Sequence, residues 1–133
     1  MPTAIVYYSG DLRTESTHLQ SGETYITDAP IDNEGKAEAF SPTDLIATGL
    51  ANCMLTIMGI VARRESLRIE GTKAEITKIM NKNPRCIREI RIDFKFPTDY
   101  GDNHKKLLED AALNCPVAKS LSSDLIQTIN FYY

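Results

Sequence analysis

The stretch SPTDLIATGLANCMLTIMGIVARR, residues 41–64, decides the fold. Ser41 offers a hydroxyl at a helix N-cap, Pro42 suits the first helical position, and Asp44 stands three residues past the cap, where a capping-box carboxylate belongs. From 45 to 62 no residue carries a formal charge, and Arg63-Arg64 closes the run. Eighteen uncharged residues reach the length at which a membrane span is considered. Thr48, Asn52 and Thr56 at four-residue intervals, Gly49 and Gly59, and flanks patterned like soluble strands argue instead for a helix in the middle of a soluble assembly. So short a chain is thin cover for a helix apolar on nearly every side. An interlocked homodimer is therefore expected, with a second copy supplying the missing surface.

Upstream of this helix, residues 3–8 are rich in β-branched and aromatic side chains, and residues 12–19 reach 24–27 through Ser21-Gly22, a meander or hairpin. Residues 28–41 carry Gly and Pro punctuation with little periodicity, a loop of covering or binding length. Downstream, residues 69–80 and 85–96 read as strands around the turn 81–84. In the second strand Ile90, Ile92, Phe94 and Phe96 alternate with Glu89, Arg91, Asp93 and Lys95, one face buried and one wet. Leu107, Leu108, Ala111 and Ala112 place a helix over 104–114. Cys115-Pro116 interrupts it and starts a new turn over 116–121. Residues 126–133 close the chain as a strand with Ile129, Phe131 and Tyr133 on one face.

The 133 residues suit one domain, 1–133, and 42% apolar with 25% charged residues is an ordinary globular composition. A net charge of -3 gives no general pull toward nucleic acid or an anionic membrane, so neither is expected as a partner. The start MPTAIV lacks the basic and apolar regions of a secretory signal, and a cytoplasmic location is expected.

Cysteines at 53, 86 and 115 are too few and too scattered for a disulfide scaffold. Cys86 shares the parity of the apolar face of its strand and reads as a packed edge or core residue. Cys53, inside the apolar helix, would be inert without a nearby cation. Cys115, just before a new helix, faces free N–H groups that favour a thiolate, and its own chemistry leaves it open between packing and reactivity. A metal site from Cys53, Cys115 and His18 or His104 matches no ligand spacing, and no cofactor is expected.

Ser41-Pro42-Thr43-Asp44-Leu45 leading to Cys53-Met54, together with Cys115-Pro116-Val117-Ala118-Lys119-Ser120, resembles the paired cysteine motifs of the OsmC/Ohr family of osmotically inducible and organic hydroperoxide resistance proteins. Gly10-Asp11-Leu12-Arg13 and Thr27-Asp28-Ala29-Pro30 extend the likeness over the chain. The resemblance implies an α+β fold of antiparallel sheets around a long buried central helix, in an intertwined homodimer with its active sites at the subunit interface. It implies Cys53 as the thiol that attacks the peroxide, Cys115 as the thiol that resolves the sulfenic acid to a disulfide, and Arg13 as the cation at the reactive thiol. An external dithiol, of the lipoyl type in the family, would reduce the disulfide. One departure stands out. Many hydroperoxide-reducing members carry Pro-Glu where this chain has Pro42-Thr43, and that glutamate holds the arginine. Asp44, one place later, either takes that part or is simply the capping carboxylate.

Lowering a thiol pKa from about 8.5 to about 5.5 multiplies its thiolate roughly 30-fold but costs on the order of 20-fold in nucleophilicity. Deprotonation alone therefore gains little, which assigns Arg13 to the peroxide oxygens and the leaving alkoxide. Phe40, Leu50 and Ile57 are expected to wall an apolar pocket that prefers alkyl or lipid hydroperoxides to H2O2. The alternative function is a non-catalytic dimer of the same fold that binds a small apolar ligand, its cysteines structural.

Overall fold

The computed structural model describes all residues from Met1 to Tyr133. The chain groups into two compact units, Met1–Ile46 and Ala47–Tyr133.

In the first, β1 (Ala4–Gly10), β2 (Arg13–His18) and β3 (Thr24–Asp28) form an antiparallel meander in the order β1-β2-β3. The β1–β2 turn is tight, and both of its central residues, Asp11 (φ 53°) and Leu12 (φ 62°), lie in the left-handed region that the twist of a two-residue hairpin demands. The β2–β3 loop is longer, closed by the His18 amide on the Glu23 carbonyl at 2.8 Å. That closure sets the register in which Arg13 faces Asp28 and Thr14 faces Thr27. The following loop folds back on β3 through a 3₁₀ turn at Ile31–Asn33. Gly35 donates to the Pro30 carbonyl at 2.9 Å and lies so close to Ala29 that a Cβ there would overlap the Ala29 backbone.

Helix α1 (Pro42–Arg64) starts in the first unit and continues in the second. It is long and apolar enough to cross a membrane by length and composition. Its buried residues, Ala47, Leu50, Ala51, Met54, Met58 and Ala62, recur at helical spacing along one face. Ile46 and Ile60 stay 47% and 40% exposed, so this chain alone buries one stripe of α1 and not the whole circumference expected from its composition.

The second unit adds β4 (Lys73–Lys82), β5 (Arg85–Lys95), α2 (Asp102–Leu113), α3 (Pro116–Ser120) and β6 (Ile126–Tyr132). The sheet runs β4-β5-β6. Its second pairing departs from the expected antiparallel pattern: β6 lies parallel to β5, because the connection between them is a crossover through α2 and α3. Ile90, Ile92, Phe94 and Phe96 are buried as their alternation required, in one cluster with the α1 stripe, Leu108 and Ala112 of α2, and Cys115. Phe131 stacks on Phe94 and Tyr133 on Phe96, at centroid separations of 5.5 and 4.6 Å.

Parity fails at the start of β5. Ile79 pairs with Glu89 but Met80 pairs with Ile87, so Arg88 is an extra residue, a β-bulge. The bulge reverses the faces beyond it. Ile87 turns inward against the core and Cys86 is exposed, correcting its expected packed position.

Candidate active site

The two cysteines of the family motif meet within the second unit. Cys53 is half-buried on α1, one residue before the fully buried Met54, and Cys115 is 0% exposed. Cys115 is the N-cap of α3, with Pro116 at the first helical position, and its Sγ accepts from the Ala118 amide at 3.4 Å. The two thiols lie near enough for the Cys53 sulfur to perturb Cys115. Burial pushes the Cys115 thiol up. The Ala118 amide pulls it part of the way back, and the neighbouring Cys53 sulfur raises it again. The helix start expected to favour a thiolate at Cys115 is thus outweighed by desolvation, and α3 is only five residues long. Burial favours the protonated form of Cys115. Cys53 is the more accessible of the two.

Arg13 lies in the first unit, immediately after the β1–β2 turn. Its Nε donates to Asp28 Oδ1 at 2.7 Å and its Nη2 to Asp28 Oδ2 at 2.8 Å, a two-pronged pair, with Glu38 Oε2 3.8 Å from Nη2. Asp28 is 3% exposed and also accepts the Glu38 amide at 3.1 Å. The Arg13 bond holds its carboxyl below the ordinary aspartate value against the opposing effect of burial, and Arg13 is raised in return. A cavity of about 170 Å³ lined by Ser9, Gly10, Asp11, Arg13, Asp28 and Lys36 opens beside the pair.

The OsmC family pattern, described as OsmC-like protein, matches residues 35–129, most of the chain and both cysteine segments. The chain belongs to the OsmC-like protein family. An OsmC-like fold is equally plain among solved structures. A protein of Psychrobacter arcticus 273-4, provisionally described as an osmotic stress induced and detoxification response protein, is 52% identical, with 99% of this chain and 96% of that one covered at a TM-score of 0.96. An OsmC-like protein of Mycoplasma pneumoniae shares the fold at 19% identity (TM-score 0.80, 96% and 93% covered). So does an organic hydroperoxide resistance protein OsmC of Legionella pneumophila at 16% (TM-score 0.73, 100% and 98% covered). No curated protein matches the chain.

Within this OsmC-like chain the remaining site candidates fall in different places. Asp44 caps α1: its Oδ2 accepts the Ser41 amide at 3.0 Å while Ser41 Oγ accepts the Asp44 amide at 3.1 Å, a reciprocal capping box. The carboxylate paired with Arg13 is Asp28, marked in sequence only by its place in the Thr27-Asp28-Ala29-Pro30 segment. Leu50, expected on a pocket wall, is fully buried in the core, because the i, i+3, i+4 stripe of α1 carries it inward. Ile57 is half-buried against that core, and Phe40 is 54% exposed. A larger cavity of about 540 Å³ between the C-terminal half of α1 and residues 67–72 reaches neither cysteine. His18 bonds Ser21 at 2.7 Å, His104 lies 3.7 Å from Glu65, and no three His, Cys, Asp or Glu side chains converge as a metal site.

Proposed function

We propose that the chain is a thiol-dependent peroxidase that reduces organic hydroperoxides, with Cys53 as nucleophile, Cys115 as resolving thiol and Arg13 as the donor to the peroxide oxygens. The observation that carries this reading is the proximity of the Cys53 thiol to the Cys115 thiol at the start of α3. Two thiols placed for packing alone have no need to meet; two thiols that must join do.

The Cys53 thiolate takes the distal oxygen of ROOH, the O–O bond breaks, and the alkoxide leaves as ROH after gaining a proton, giving Cys53-SOH. Cys115-SH then attacks that sulfur. The S–S bond forms, hydroxide leaves with the thiol proton as water, and over-oxidation of Cys53 is forestalled. Two electrons from an external dithiol, with lipoyl-type reductants the family's choice, restore both thiols. Before the first step burial favours the thiol form of Cys115.

The working unit is proposed to be a homodimer in a reducing, cytoplasmic setting. Its support is the apolar surface left uncovered on α1 at Ile46 and Ile60 and on β1 at Val6, Tyr7 and Tyr8. The non-catalytic alternative, a dimer holding a small apolar ligand, makes the sulfur contact incidental.

Turnover separates the two. With cumene hydroperoxide and dihydrolipoamide the wild-type protein consumes peroxide and Cys53→Ser does not, cumene hydroperoxide outpaces H2O2, and dihydrolipoamide outpaces thioredoxin. Equal background rates for wild-type and Cys53→Ser exclude the peroxidase.

A further inference from the structure

We propose that Asp28 is the positioning carboxylate of the Arg13 guanidinium, doing in this chain what an acid at position 43 would otherwise do. The inference rests on the peroxidase reading above. Thr43 carries no charge, and Asp44 is engaged with the Ser41 amide in the capping box. Asp28 instead stands opposite Arg13 in the β2–β3 register and takes the Nε and Nη2 donors at 2.7 and 2.8 Å. Two parallel bonds fix a planar guanidinium in orientation as well as position, and they leave the Nη1 side for another ligand.

The carboxylate is itself immobilised. It is 3% exposed and accepts the Glu38 amide at 3.1 Å, and the Asp28 amide donates to the Phe40 carbonyl at 3.1 Å, so both of its ends are tied to the following loop. The adjoining 170 Å³ cavity has Arg13 and Asp28 in its lining. Asp28 thus acts through Arg13 and touches no reacting atom.

A double-mutant cycle tests this. The second-order rate of Cys53 oxidation by cumene hydroperoxide is measured in single turnover for wild-type, Asp28→Asn, Arg13→Ala and the double variant. Alkylation of Cys53 by iodoacetamide, which has no alkoxide to stabilise, is the control. Loss of orientation predicts that Asp28→Asn slows oxidation about 10²-fold in the wild-type background. In the Arg13→Ala background the same change has almost no effect, and alkylation falls far less than oxidation. Asp28→Glu, which keeps the charge on a longer arm, recovers part of the rate and supplies the reading if Asp28→Asn does not fold. An active wild-type protein whose rate is indifferent to both Asp28 changes overturns the role of Asp28 alone, as does an equal loss with and without Arg13. A folded wild-type protein inert to hydroperoxide overturns the peroxidase reading, and this role with it.

Discussion

Arg13 and Asp28 face each other across β2 and β3, and the carboxylate closes on the guanidinium through two bonds of 2.7 and 2.8 Å. The pair is only as rigid as the loop after β3. Gly35 is the tightest point of that loop, where a single methyl group would overlap the Ala29 backbone.

Gly35→Ala is therefore predicted to destabilise the protein by about 1–3 kcal/mol, the usual cost of overpacking. Because the displaced segment carries the Glu38 amide to Asp28, oxidation of Cys53 by hydroperoxide slows as well. Urea denaturation and single-turnover kinetics on the same sample check both effects. A variant as stable and as fast as wild-type would show the loop to be slack.

The cap makes the opposite prediction. Ser41→Ala costs about 1 kcal/mol of stability by removing the acceptor for an amide of the first turn of α1. Asp44→Ala, which removes the acceptor for the Ser41 amide, also lowers the melting temperature. Neither change alters the hydroperoxide rate of the folded fraction beyond twofold. A rate loss at Asp44 as large as that at Asp28 would reassign it to the arginine.

Raised acidity thresholds give a pH dependence with a definite sign. The folded protein holds the Cys115 proton more tightly than the unfolded chain, whose thiol has the ordinary value of 9.0. Stability from this group is complete below that value and is lost as pH rises above it toward the higher folded value. The stability difference between wild-type and Cys115→Ser, from urea titrations, therefore shrinks as pH is raised from 8 to 10.5. A difference that is flat or growing over this range contradicts the protonated state assigned to Cys115.

Local signals were the legible ones. The Ser41–Asp44 box, the Pro116 start of α3 and the alternation from Ile90 to Phe96 each depend on spacing within a few residues, and the structure shows all three. The misreadings come from non-local geometry. The hairpin through Ser21-Gly22 was legible, but its register, which brings Asp28 opposite Arg13, depends on the loop closure between His18 and Glu23. One inserted residue, Arg88, is invisible in an alternating pattern yet moves Cys86 from the inner face to the outer. The direction of β6 was set by a crossover that strand periodicity does not encode. Cys115 could be placed at a helix start from its proline, but its burial and its contact with Cys53 depend on how α1 and α2 pack around it.

If Cys53 and Cys115 form one redox unit, the intact mass of the protein after one equivalent of cumene hydroperoxide reveals it. The expected result is the loss of two hydrogens and a peptide map with Cys53 joined to Cys115, Cys86 remaining free. Cys115→Ser should instead gain oxygen at Cys53. An unchanged mass in the wild-type protein, or a crosslink that runs through Cys86, would contradict it.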